Sequence, residues 1–283
     1  MRPKNDRGRF DGRVVLVTGA SSGFGLAVAR AFAAEGADLV LAARNAERLQ
    51  RAAEELEKQT GCRVLAVPTD VSRRVDVDRL VARAIDRYGR IDILVNNAGS
   101  GLIAPFDRVR LTDAAALFDA NFFGAVSCVQ AVLPHMTRQG GGYLVNVAAL
   151  GGIRAVPNSS IYCASKAALI AFSGALRLEL CRSGIGVTTF CPGKISGTRF
   201  FESVARYGPV RFFQTADEVS ADRAAHILLR AVARRQPLVL VTRTARIMYW
   251  WNLLFPRWVD RYLYRRMPRL EFTEHPSQTG SGG

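Results

Sequence analysis

Lysine is nearly missing from this chain. Of 39 basic residues only Lys4, Lys58, Lys166 and Lys194 are lysines, so a formal net charge of +15 is carried almost entirely by arginine. Such a balance invites a nucleic-acid or anionic-membrane partner. No zinc-ligand spacing and no aromatic ribonucleoprotein motif accompanies it, so nucleic acid is not expected, and an arginine-biased composition explains the charge without any polyanion. Cysteine is sparse: Cys62, Cys128, Cys163, Cys181 and Cys191 are odd in number and scattered, with no C-x-x-C pair. That excludes a disulfide or zinc framework and fits reduced thiols in a cytoplasmic setting. The opening MRPKNDRGRFDGR lacks the apolar run of a signal peptide.

What is present is enough apolar material for a core. Residues are 49% hydrophobic over a length of 283, which suits one α/β domain with tails. Short β-branched runs at 14–18, 39–43, 64–68, 91–96, 142–147, 186–190 and 238–241 alternate with helical segments at 23–35, 45–59, 73–88, 112–138, 160–183 and 217–235. Near-continuous apolar strands separated by helices predict a doubly wound, Rossmann-like parallel sheet in a single domain. The expected division is a flexible arm over 1–11, a dinucleotide-binding catalytic domain over 12–243, an aromatic and basic amphipathic extension over 244–270, and a disordered tail over 271–283.

The first strand runs straight into Thr18-Gly19-Ala20-Ser21-Ser22-Gly23-Phe24-Gly25 and an alanine-rich helix. Glycines there permit positive φ and close backbone approach, and a helix N-terminus favours a pyrophosphate. Gly19, Ser21, Ser22, Gly23, Phe24 and Gly25 are the expected phosphate cradle. The second strand ends Leu41-Ala42-Ala43-Arg44. No carboxylate stands where it would hold a ribose diol, and the Arg44 guanidinium suits a 2′-phosphate. NADP(H) is therefore the expected cofactor; the plain alternative is a solvated surface arginine.

Further motifs follow in order: Asp70-Val71, Asn96-Asn97-Ala98-Gly99, Asn121, Tyr162-Cys163-Ala164-Ser165-Lys166 and Pro192-Gly193. With the glycine turn, this series resembles the short-chain dehydrogenase/reductase family over roughly residues 12–240. The resemblance implies that Asp70 and Val71 lie on the adenine side, and that Asn97, Ala98 and Gly99 support the sheet beside the cofactor. It also implies that Pro192, Gly193 and Ile195 receive the nicotinamide, and that Asn121 bends its helix and joins a proton relay. A homodimer or homotetramer is implied in the same way. Tyr162 and Lys166, four apart, share a helix face. A cation near the phenol should lower its pKa and let Tyr162 pass a proton to or from a substrate oxygen.

One family position departs from the pattern. The serine expected 13 residues before the tyrosine is Ala149, beside another alanine at 148. Losing one oxyanion donor costs about 10²–10³ in rate. Ser159 is the candidate replacement hydroxyl, although Ser159 or Ser160 would also serve as a helix cap. Past Gly193, Phe200, Phe201, Val204, Tyr207, Phe212 and Phe213 predict an apolar substrate lid, hence a small hydrophobic ketone, aldehyde or alcohol. All three tryptophans, Trp250, Trp251 and Trp258, fall in an arginine-flanked segment whose apolar run of about nine residues is too short to span a bilayer. It predicts either a peripheral surface for an anionic membrane face or packing on the protein. Two functions stand: an NADP(H)-dependent carbonyl reductase or alcohol dehydrogenase, and a catalytically weak dinucleotide-binding protein acting as sensor or partner subunit.

Overall fold

The computed structural model describes residues 8–198 and 217–266. The lid aromatics between 200 and 213, the arm over 1–7 and the tail from 267 lie outside them. Seven parallel strands form the sheet: β1 (Val14–Thr18), β2 (Asp38–Ala43), β3 (Val64–Pro68), β4 (Ile93–Asn96), β5 (Gly142–Val147), β6 (Ile185–Cys191) and β9 (Leu238–Leu240). Their order is β3-β2-β1-β4-β5-β6-β9. The chain winds outward from β1 through β2 to β3, then returns to start β4 on the other side. A crevice therefore opens at the carboxyl ends of β1 and β4, where such sheets bind ligands.

Both faces of the sheet are covered, as a parallel sheet requires. On one face lie α1 (Gly23–Ala34), α2 (Ala46–Thr60) and α7 (Ala221–Ala233), packed through Phe32, Leu49, Leu56 and Leu228. On the other lie α3 (Arg74–Tyr88), α5 (Gly124–Arg138) and α6 (Ser160–Glu179), packed through Leu80, Val132, Met136 and Leu176. Helix ends follow local chemistry. Asn45 caps α2 by accepting from the Arg48 N–H at 2.8 Å, and Gly61 ends it in the left-handed region.

Four expectations need correction. The segment 112–138 is not one helix: α4 (Leu111–Phe118) and α5 are separated by a π turn, Asp119–Phe123, that contains the buried Asn121. The helix expected over 217–235 begins only at Ala221. Glu218–Ser220 is instead a short strand, β8, paired with β7 (Lys194–Ser196) and tied by a Lys194–Glu218 ion pair of 3.2 Å. The helix expected to reach 183 stops at Glu179. The arm over 1–11 is not free in its last residues: Phe10 is buried edge-on against Phe32, and its N–H donates to the Glu35 carbonyl. Beyond β9 the extension forms two helices, α8 (Arg243–Leu254) and α9 (Pro256–Arg266), broken where Pro256 cannot continue the first.

Candidate active site

The turn after β1 is closed by space. Gly19 has φ +66°, and a Cβ there would lie 2.9 Å from Asn97 Nδ2. A Cβ on Gly25 would come within 2.3 Å of the Gly19 carbonyl oxygen. The Thr18 hydroxyl accepts from the backbone N–H groups of Asn97 and Ala98, both at 3.0 Å, while Asn97 Nδ2 donates to the Thr18 carbonyl at 2.9 Å. The turns after β1 and β4 are thus knotted together. Ser22 occupies the N-cap of α1 without a side-chain cap bond, and the first turn holds no acid. That leaves the positive end of α1 suited to an anion. Ser21, Ser22 and Gly23 are half-buried at this rim. The Phe24 ring turns into the core and stacks on Phe190 at 5.6 Å, so what this residue brings to the turn is its backbone.

Arg44 is exposed immediately after β2. Asp70 follows β3 with its carboxylate accepting from the Ser72 N–H at 3.0 Å and hydroxyl at 2.7 Å. Burial works against its charge, but these bonds and the nearby Arg44 and Arg73 guanidiniums outweigh it and hold the Asp70 carboxyl below its ordinary range. Val71 is buried and packs against α5: a Cβ on Gly124 would meet its Cγ2 at 2.7 Å.

The proton-handling side lies at the ends of β4 and β5 and on α6. Lys166 is buried, and its ammonium donates to the Val147 carbonyl at 3.0 Å. Burial lowers its pKa to about 8, with Cys191 pulling the other way. Asn121 Nδ2 donates to Ser165 Oγ at 3.1 Å and to the Ser100 carbonyl at 3.0 Å, while its Oδ1 accepts from the Ser100 N–H. A Cβ on Gly99 would meet Asn121 Oδ1 at 2.7 Å and Lys166 Nζ at 3.5 Å, so the two side chains flank that glycine. The Tyr162 ring lies beside Gly151, whose Cβ would be 3.6 Å from its Cε1. Burial pushes the Tyr162 phenol above its ordinary range, and Cys163 and Cys191 add to the rise. The expected lowering of this pKa by Lys166 is therefore not present in the chain by itself. The ammonium is committed to Val147 and is itself desolvated.

Ala149 is nearly buried in extended backbone at the end of β5. Ser159 stands at the N-cap of α6, yet its hydroxyl caps nothing: Oγ is buried without a hydrogen-bond partner. A buried hydroxyl left unmade costs about 1–3 kcal/mol. Pro192 accepts from the Leu150 N–H at 3.2 Å, and Gly193 lies against Leu150, which joins the ends of β5 and β6. Ile195 lies in β7, the short strand that leads toward the lid segment.

Three features escaped the sequence. Thr18 has no signal beyond a strand-final threonine. Thr198 lies over Gly23, whose Cβ would be 3.4 Å from its own Cβ, and nothing in the string marks it. Asn96, Asn146 and Ser173 form a buried chain, with Asn96 Nδ2 donating to Asn146 Oδ1 at 2.9 Å and Asn146 Nδ2 to Ser173 Oγ at 2.8 Å. Two asparagines on adjacent strands were the available hint.

A doubly wound sheet with its glycine turn at the switch point defines a dinucleotide-binding protein. The family model for short chain dehydrogenases matches residues 13–207, and the chain belongs to that family. Ketoacyl reductase HetN of Nostoc sp. is 31% identical over 269 residues, which are 93% of this chain and 92% of that protein. Among solved structures, L-sorbose reductase from Gluconobacter frateurii, complexed with NADPH and L-sorbose, superposes with a TM-score of 0.72 at 29% identity, over 83% of this chain and 97% of that one. The 3-ketoacyl-(acyl-carrier-protein) reductase from Brucella melitensis, complexed with NADH, gives 0.72 at 29% identity, over 79% and 91%. This chain is accordingly an oxidoreductase of the family, and the sensor or partner-subunit alternative is not favoured.

Proposed function

We propose that the chain interconverts a small hydrophobic ketone or aldehyde and its alcohol with NADP(H), using Tyr162 as the proton-transfer group. The observation that supports this reading is that Lys166 Nζ and Asn121 Oδ1 flank Gly99, next to the Asn97 and Ala98 that pack on Gly19, with Tyr162 one helical turn before Lys166 on α6. What supports a dinucleotide here is the N-terminus of α1, which has no side-chain cap bond and no acid in its first turn, behind a turn that Gly19 and Gly25 let pack tightly. Arg44 would meet a 2′-phosphate, and Lys166 and Asn97 would lie on the nicotinamide side. Hydride exchange at the carbonyl carbon is the chemistry such a dinucleotide supplies when bound.

The chain's own part is acid–base. A phenol held above its ordinary pKa stays protonated at neutral pH, so Tyr162 is poised to give its proton to a developing alkoxide. With Ala149 in place of a hydroxyl, the orphaned Ser159 Oγ at the head of the same helix is the group available to steady that oxygen. Asn121 holds the Ser100 backbone and Ser165, which fixes the floor beneath Lys166.

Consumption of NADPH against a panel of hydrophobic carbonyls tests the reading. Tyr162→Phe should lower turnover by about 10²–10⁴ while NADPH still binds. Full activity in that variant would move the chemistry elsewhere.

A further inference from the structure

The extension ends in a helical hairpin whose outer face has none of the other described residues packed over it. In α8, Ala245, Met248, Tyr249 and Asn252 turn toward the domain, whereas Ile247, Trp250, Trp251 and Leu254 are exposed. Both sets follow the i, i+3, i+4, i+7 spacing of a helix face, so this helix carries a second apolar stripe aimed at solvent. Leu253 and Phe255 extend that stripe to the bend, and on α9 Trp258 and Tyr262, four apart on one face, are also exposed. Trp250 is 58% exposed and Trp258 69%, which is far outside the range of a side chain that packs on its own domain.

Charge decides what covers this face. Residues 243–266 hold six arginines, Arg243, Arg246, Arg257, Arg261, Arg265 and Arg266, against one acid, Asp260. That acid is already paired with Arg154. A second copy would bring the same excess of arginine against itself. An anionic headgroup layer complements it, and tryptophan and tyrosine settle at such interfaces. Helices of 12 and 11 residues are too short to span a bilayer, so they would lie in its surface.

We propose that the α8–α9 hairpin docks the protein on an anionic phospholipid surface. The Arg154–Asp260 pair and the buried Val259 hold α9 to the loop between β5 and α6. A groove of about 540 Å³ runs along this junction, lined by Arg154, Pro157, Arg257, Arg261, Leu263 and Tyr264. The docked face is thus continuous with the loop that leads from Ala149 to Tyr162.

The test uses the full chain and its own fluorescence, since all three tryptophans lie in the hairpin. Vesicles of phosphatidylcholine with phosphatidylglycerol should shift tryptophan emission to the blue and carry the protein down on sedimentation. Vesicles of phosphatidylcholine alone should do neither, and added salt should reverse both. Arg257→Gln with Arg261→Gln should weaken binding roughly 30-fold, at about 1 kcal/mol per charge. Trp250→Ala with Trp251→Ala should also release the protein while leaving the circular dichroism of the domain unchanged. No shift and no co-sedimentation at low salt would overturn the proposal. So would equal, salt-insensitive binding to neutral vesicles. A concentration-dependent dimer that blue-shifts without lipid would overturn it too, by assigning the stripe to a second copy.

Discussion

At position 149 the end of β5 carries a methyl group where the resembling family carries a hydroxyl, while ten residues later Ser159 buries a hydroxyl that bonds to nothing among the described residues. The pairing of a missing donor with an idle one makes opposite predictions for two substitutions. If Ser159 is the working donor, Ser159→Ala lowers kcat on a carbonyl substrate by about 10²–10³ and Ala149→Ser adds little. If the site works without either hydroxyl, Ser159→Ala changes only stability, and Ala149→Ser raises kcat by up to that factor. Steady-state kinetics on both variants separates the cases; unchanged kcat in both would place the oxyanion contact on another group. Lys166 makes a second residue-scale prediction. In water a lysine ionises near 10.5, and here near 8. Below pH 8 both states hold the proton, and the folded state bears the full cost of a buried charge. Between 8 and 10.5 the folded state has released it and the unfolded state has not, so stability contributed by this site climbs with pH through that window. Lys166→Met should therefore stabilise the cofactor-free chain at pH 7, by up to about 3 kcal/mol, while abolishing turnover. The gain should fade as unfolding is measured toward pH 10. A constant gain across that range would assign the effect to packing.

The elements were legible where one force set them. Strand cores at 14–18, 64–68 and 142–147 match the structure residue for residue, because short β-branched apolar runs bounded by turn residues read as strands. The break inside 112–138 was signalled only by the resemblance, which placed a helix-bending asparagine at 121, and the π turn lies there. Apolar periodicity continues straight through it, and only the π turn around Asn121 shows that one extra residue is accommodated there. Likewise, Glu218–Ser220 reads as the start of a helix until the partner strand Lys194–Ser196 is in place. The turn between β2 and α2 carries the cofactor prediction. Its backbone is set by Asn45, which caps α2, so Arg44 is free to serve a ligand without affecting the fold. Arg44→Ala should cost NADPH at least tenfold in affinity, in keeping with one charge-assisted contact of about 1.5–3 kcal/mol, and leave NADH unchanged. Fluorescence titration with both cofactors checks it, and equal losses for the two would assign Arg44 to the pyrophosphate or to folding.

For the molecule as a whole, composition and alternation were enough to give one doubly wound domain, while the strand order and its switch-point crevice came from the structure. Most of the candidate site was likewise in view, because Tyr162, Lys166 and the glycine turn come as short strings. What stayed hidden was long-range. The Thr18–Asn97 knot, the Asn96–Asn146–Ser173 chain and the Arg154–Asp260 tie each join segments that no local pattern relates. Chain order has one more effect on this architecture. The sheet places β9 beside β6, where the Thr189 N–H donates to the Pro237 carbonyl and the Thr188 hydroxyl to that of Gln236. Strand β6 ends at Cys191 and β9 begins at Leu238, so at roughly 5–20 residues per second a ribosome spends about 2–10 s between them. Throughout that interval the nascent sheet presents β6, with Ile185, Val187, Phe190 and Cys191, as an unpaired edge. Its protection comes from a strand of only three residues, made after 192–237 have been added, so that stretch of synthesis leaves an open edge that the finished sheet covers.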